Sequence, residues 1–348
     1  MIDAGESVIQ SVSVHHVGNA SLEEPLKLSE APLDIEHDKV HQLLRVYFLT
    51  NFTNPEYYHF TFSNEDFTLN PLYKFAAEIF DEPGSFHENT TFIAQHLHAA
   101  TQHPNIKAGD LYVAYFGALA LNGQHTEAIG IFKSETKESF LKLKAYANQF
   151  DLQADEGINV RKLDKGCLIL NMERESGFKV LIVDNSNRTD ATFWKQQFLN
   201  LQPWSDAYHH TQQYMSLARQ FVAEQIPEDF QVSKADQIDL LNRSVNYFKT
   251  KEQFNQAEFE VEVFGDAEVI ESFRSYGKNF MSNVEFDAED NFEISAQAVK
   301  RQARVFKSVL KLDKNFHIYI HGNRELIEKG FDESVGKNYY KIYFDNES

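Results

Sequence analysis

The chain has a single cysteine, Cys167, in 348 residues, so no intramolecular disulfide can form and a reducing compartment is the natural setting. It sits in the apolar stretch Cys167-Leu-Ile-Leu170, where a small buried hydrophobe is the expected role. Long hydrophobic runs are missing too. The longest, Leu111 to Leu121, is too short to cross a bilayer, and the opening Met1-Ile-Asp-Ala-Gly-Glu6 lacks the basic-then-apolar pattern of a signal peptide. A cytoplasmic protein without a membrane partner is the expectation. Positive charge is scarce: 33 Lys and Arg against 52 Asp and Glu give a formal charge of −19. That balance excludes an all-over attraction to nucleic acid or anionic lipid and leaves room only for a local basic patch. Three catalytic signatures are absent as well. No Gly-x-x-x-x-Gly-Lys loop, Gly-x-Gly-x-x-Gly turn or Gly-x-Ser-x-Gly elbow occurs, so nucleotide hydrolysis, a Rossmann cofactor and an α/β-hydrolase site have no motif support.

Large apolar side chains are plentiful, with 30 Phe and 15 Tyr, and the length favours about two domains. The densest β signal runs from Gly109 to Asp184. Leu111 to Phe116 and Glu127 to Phe132 flank Asn122-Gly123, the dipeptide best suited to a two-residue hairpin turn. Turning there pairs residues whose numbers sum to 245, which sets Val113 opposite Phe132, Ala114 opposite Ile131 and Phe116 opposite Ile129. Both faces are then apolar, as in interior strands covered on two sides. A second hairpin joins Cys167–Leu170 to Phe178–Val183 through Glu175-Ser-Gly177, completing a four-strand antiparallel core.

Ahead of this core, Val8, Val12 and Val14 alternate in a first strand. A helix with Asp38 as N-cap presents Val40, Leu43, Leu44, Tyr47 and Phe48 to the sheet. Tyr57 to Phe62 reads as a short strand. Asn70 as N-cap and Pro71 at the first helical position open a second helix, and a third covers Asn89 to His103. The loop Asn185-Ser-Asn-Arg188 divides a sheet-centred domain, residues 1–185, from a helical one, residues 186–348. In the latter, a helix carrying Thr211, Tyr214, Met215, Ala218, Phe221 and Val222 runs to a stop at Pro227. Ser233 with Asp236 caps the next, which buries Ile238, Leu241, Val245 and Phe248, and another begins near Asp266. Glu258, Glu260 and Glu262 alternate with Phe259, Val261 and Val263 as the wet face of a strand. From Val305 onward a period of two returns. The expected fold class is α+β: an antiparallel sheet with flanking helices in the N-terminal half, and a helical C-terminal half closed by a small antiparallel sheet.

The order of these elements, with Ile106-Lys-Ala-Gly-Asp-Leu-Tyr-Val-Ala-Tyr-Phe116, the return strand Thr126 to Phe132, and the tail from Phe292-Glu-Ile-Ser295 through Tyr343, resembles the bacterial nucleoid-associated protein family of the NdpA/YejK type. The resemblance covers most of the chain. It implies a cytoplasmic protein located at the nucleoid that binds double-stranded DNA with little sequence preference, uses no cofactor and catalyses no established reaction. Double-stranded DNA is the implied partner, reached directly or through a partner protein, and other nucleoid proteins are further candidates.

One basic concentration stands out: Lys300, Arg301, Arg304, Lys307, Lys311 and Lys314, interrupted only by Asp313. Phosphate neutralisation needs clustered cations rather than a motif, which makes these the candidate DNA contacts, and a solvated face balancing the acidic stretch Glu258 to Glu293 is the competing explanation. His37 and His41 share a helix face but lack further metal ligands at matched spacing, so no metal is expected. The hairpin register sets Asp110 opposite Glu135 with Lys137 on the same side. That trio resembles a divalent-metal nuclease arrangement, while a cross-strand salt-bridge group explains the same residues. A protein-interaction adaptor and a metal-dependent nuclease are therefore the alternatives to a non-catalytic DNA-binding protein.

Overall fold

The two hairpins read from the sequence lie at the centre of an eight-stranded antiparallel sheet. The computed structural model describes residues 2–147, 149–185, 192–284, 289–306, 309–320 and 324–346. The chain forms two compact units, Met1–Trp204 and Ser205–Ser348. Of the loop Asn185–Arg188, the residues after Asn185 lie outside the described ones.

In the first unit the strands are β1 (Ile2–Val17), β2 (Leu26–Lys27), β3 (Tyr58–Phe60), β4 (Gly109–Leu121), β5 (Gln124–Ser134), β6 (Glu138–Tyr146), β7 (Gln149–Gly157), β8 (Lys165–Leu170), β9 (Lys179–Asp184) and β10 (Leu201–Pro203). The large sheet has the order β10-β3-β9-β8-β5-β4-β1-β2, and β6 with β7 forms a separate two-stranded ribbon. The unit also holds helices α1 (Asp38–Leu49), α2 (Pro71–Asp81) and α3 (Phe86–Ala100) and a π-helical turn over Phe193–Phe198. The sheet is buried on both sides, as its two apolar faces require. Val113, Tyr115, Ile129, Ile131, Cys167 and Ile169 pack with α2 and α3. On the other face Ala114, Phe116, Phe132, Leu168 and Leu170 meet Tyr47 and Phe48 of α1. The Phe48 and Phe132 rings stack there at 4.2 Å.

The register differs from the expected one over most of the first hairpin. Leu121↔Gln124, Ala120↔His125 and Leu119↔Thr126 keep the sum of 245, but from Phe116↔Ala128 to Asp110↔Ser134 the sum is 244. One extra residue of β4 at Gly117-Ala118 makes a bulge, which a glycine without a side chain admits readily. The faces explain why the bulge is needed. Val113 belongs to the α2/α3 side and Phe132 to the α1 side, so the two cannot sit directly opposite each other.

Helix boundaries differ in detail. α1 is capped by His37, whose ring accepts from Lys39 N, with Asp38 as first helical residue instead of cap. Asn70 caps α2 with Pro71 next, as its chemistry dictates. α3 begins and ends three residues ahead of the expected span.

The second unit is helical: α4 (Ala207–Gln220), α5 (Lys234–Thr250), α6 (Gln256–Val263), α7 (Ala267–Val284) and α8 (Ala296–Gln302). Pro227 does not end the helical path after α4. A π-turn over Phe221–Gln225 carries it on into Ile226–Asp229, with Pro227 placed early in that last turn. Ser233 and Asp236 form the expected capping box of α5. The core is aromatic, with Phe254 stacked on Phe248 at 5.5 Å and on Phe292 at 4.6 Å. The alternating Glu258–Val263 stretch is helix α6, not a strand. The closing strands form two pairs, β13 (Val309–Leu312) with β14 (Phe316–Tyr319), and β15 (Ile327–Asp332) with β16 (Lys337–Ile342); β11 (Gln253–Asn255) pairs with β12 (Asn291–Glu293). The fold is α+β.

Candidate nucleic-acid interface

The basic segment begins in α8, a short helix whose N-cap Ser295 accepts from Ala298 N. Ala298 and Val299 face inward, so Lys300 and Arg301 are exposed in the last turn, where the helix dipole favours cations. Arg304 is exposed in the 3-10 turn that follows. Lys307 lies outside the described residues. In β13 the strand alternation buries Leu310 and turns Lys311 outward, and Lys314 is exposed in the turn beyond Asp313.

Both halves of this segment rest on α5. Leu310 packs with Ala235 and Ile238 near its start, whereas Val299 joins Val245 and Phe248 near its end. Ile238 and Phe248 are ten residues apart, about 15 Å along a helix. The segment that bears the described cations is thus anchored at two points about 15 Å apart along α5. At the Lys300 end the segment enters a cleft of about 730 Å³ that is also lined by Lys249, Lys251, Glu252 and Glu293. Lys249 was not singled out from the sequence, because its nearness to Lys300 depends on how α5 and α8 pack.

The neighbouring acids are partly neutralised. Lys251 Nζ lies 2.7 Å from Glu258 and 2.8 Å from Glu262, one helical turn apart on α6. These hydrogen bonds push the lysine up, and the one from Lys251 holds Glu258 below the usual carboxylate range. Glu260 is not on a wet face: it is buried and held by two nitrogens of Arg274, which raises that guanidinium. So three acids that read as an exposed row are each paired with a cation.

The structure separates the nuclease-like trio. Asp110 faces Ser134 because of the bulge, not Glu135. Its carboxylate lies 2.8 Å from His16 Nδ1 and 3.4 Å from Lys137 Nζ, on the partly exposed side. Glu135 points into the unit, where it meets the buried Lys133 at 2.9 Å and the buried Lys165 at 3.8 Å; Asp184 lies 3.4 Å from Lys165. Asp164 accepts the backbone N–H groups of Glu135 and Thr136, fixing that turn. Sequence reasoning missed Lys133 and Lys165, which carry a charge inside strands that otherwise read as apolar.

His37 and His41 are engaged separately. His37 caps α1, and His41 Nε2 lies 3.3 Å from Ile9 O. Among the described residues no group of three or more His, Cys, Asp or Glu side chains is arranged to hold a metal ion. The Cys167 thiol is buried and pushed far up by desolvation, the state of an inert core residue.

The chain is α+β, and its described cations Lys300, Arg301, Arg304, Lys311 and Lys314 are exposed on an otherwise acidic molecule. The family described as nucleoid-associated protein YejK matches residues 13–339, and the chain belongs to that family. No curated protein matches the chain. Among the described residues no helix is long and apolar enough to cross a membrane.

Proposed function

We propose that this protein is a cytoplasmic, nucleoid-located, non-catalytic protein that binds double-stranded DNA directly and with little sequence preference. Lys300, Arg301, Arg304, Lys307, Lys311 and Lys314 supply the phosphate contacts. The observation that carries this reading is the exposure of the described cations on a segment anchored at two points about 15 Å apart on α5, a span comparable with four to five base pairs of duplex. Lysines and arginines spread over a short helix, a turn and a strand suit backbone contact and not base readout. The non-catalytic part rests on Glu135, whose two lysine partners occupy the carboxylate that a metal would need.

A salt-titrated binding assay with unrelated duplexes tests the proposal. The expected affinities are alike across sequences and fall with salt, at a log–log slope no steeper than about −5 for six phosphate contacts. Replacing Lys300, Arg301, Arg304 and Lys311 by Ala should weaken binding uniformly and flatten that slope; an unchanged slope would sink the assignment. A second reading, an adaptor that reaches the nucleoid through another protein, is favoured by the apolar ribbon described next. It predicts no affinity for bare DNA even at low salt.

A further inference from the structure

Among the described residues the β6–β7 ribbon pairs with no other strand, and none of its own is buried. Its register puts Leu141 beside Ala154, Leu143 beside Leu152 and Ala145 beside Phe150, all on one face. The other face carries Lys142 with Gln153 and Lys144 with Asp151, flanked by Phe140 with Asp155 and Tyr146 with Gln149. The first face is the aliphatic one and lacks charge over its middle, yet among the described residues it stays open to solvent: Leu141, Leu143, Leu152 and Phe150 are 69, 64, 61 and 74 % exposed. An isolated two-stranded hairpin is barely stable in water, and an exposed apolar strand face is an aggregation hazard.

We propose that this face is a homodimerisation surface, on which the ribbons of two copies stack face to face about a two-fold axis. Three arguments select a second copy. The first is availability: a patch that needs cover from the moment the chain folds is served by the partner that is always present at equal concentration. The second is area. Four large side chains about two-thirds exposed offer on the order of 500 Å² per copy, so stacking two faces buries roughly 1,000 Å², where specific interfaces begin. The third is charge. The patch itself is neutral, and its only charged flank is Glu156 at the base, opposite Ser139. An antiparallel two-fold stack sends the two Glu156 residues to opposite ends, about 20 Å apart over six residues of strand, well beyond the roughly 8 Å screening length. A DNA-inserting arm is disfavoured, because the ribbon bears Glu138, Asp151, Asp155 and Glu156 against Lys142 and Lys144.

Sedimentation velocity on the full chain, from low to high micromolar, tests the proposal. The wild type should be a dimer whose association strengthens with salt, because the contact is apolar while each chain carries −19. Leu143→Asp with Phe150→Asp should give a monomer with unchanged circular dichroism. Leu152→Ser alone should raise the dimer dissociation constant at least tenfold, and Gln153→Asp on the opposite face should leave it unchanged. A wild type that is monomeric throughout would overturn the proposal, as would a dimer that survives the double substitution or loses its partner through Gln153→Asp. A monomeric wild type whose DNA affinity falls with the double substitution would instead reassign the ribbon to nucleic acid.

Discussion

Replacing Glu135 by Ala isolates a buried charge, and the structure sets the size of the effect. Lys133 and Lys165 are buried with their ammonium groups 2.9 and 3.8 Å from the two oxygens of Glu135, and Lys133 also donates to Lys107 O at 2.5 Å. Asp184, 3.4 Å from Lys165, is the second carboxylate of the group. Deleting Glu135 takes one carboxylate away from two interior cations. Breaking a buried pair from one side costs about 3–5 kcal/mol, because the remaining charge keeps its desolvation penalty and loses its compensation. The Asp184 carboxylate moderates this, so we expect about 3 kcal/mol, a fall of roughly 1 M in the urea midpoint for a unit of this size. Both tryptophans, Trp194 and Trp204, lie in the first unit, so intrinsic fluorescence follows that unit alone. Glu135→Gln keeps an acceptor and should lose less, while Lys133→Met combined with Glu135→Leu should recover part of the loss. A change below about 0.5 kcal/mol for Glu135→Ala would refute the account of a buried ionic group. If purified protein instead cut DNA with Mg²⁺ and lost that activity on this substitution, Glu135 would be a metal ligand and the non-catalytic assignment would fall.

Acid should destabilise the first unit through His15, which burial, with a further contribution from His87, lowers to about 4 from 6.5. A depressed pKa contributes stability that is complete above pH 6.5 and is lost as pH falls toward 4, up to about 3 kcal/mol. His15→Gln should flatten fluorescence-monitored stability in that window, with a residual slope from His59 and His96, both also lowered by burial. Asn70→Ala should cost about 2–3 kcal/mol in urea unfolding, because the side chain both caps α2 and donates to Thr61 O and Leu199 O; Asn70→Asp should restore the cap but not the two carbonyl bonds.

Where local chemistry determines the outcome, the sequence was readable. Asn122-Gly123, Asn70-Pro71 and Ser233 with Asp236 each solve a backbone hydrogen-bonding problem within a few residues, and all three appear as turn or cap. Period alone misled at Glu258–Val263. An alternation of two is compatible with a helix when one charged residue, Glu260, is drawn inside by a distant Arg274. The hairpin register failed at Gly117 for a related reason, since a single extra residue exchanges the faces beyond it; the glycine inside a strand was the available sign. The β6–β7 ribbon went unread although Leu141 and Leu143 alternate with Lys142 and Lys144. In the candidate site the cations were legible as a cluster, but their layout along α5 follows from Leu310 and Val299 packing at its two ends, which no spacing rule encodes.

If the ribbon joins two chains and the cation-bearing segment binds DNA, one particle carries two such stripes, and the consequence can be measured. Each chain releases counterions from at most six phosphates, a log–log salt slope of about −5. On a long duplex a dimer can use both stripes, the second at the high effective concentration set by the first, so its slope should approach twice that value and its affinity should exceed the monomer's by far more than a factor of two. On a duplex too short for two stripes only one engages. The Leu143→Asp, Phe150→Asp variant should therefore match the wild type in affinity and slope on short DNA, and on long DNA it should bind more weakly and keep the single-stripe slope of about −5. The comparison also separates the two proposals. Equal slopes on long DNA, with dimerisation intact, would mean that the stripes of one dimer cannot share a duplex, leaving both the dimer and the DNA contact in place. A variant weakened equally on short and long DNA would mean that the ribbon itself touches nucleic acid.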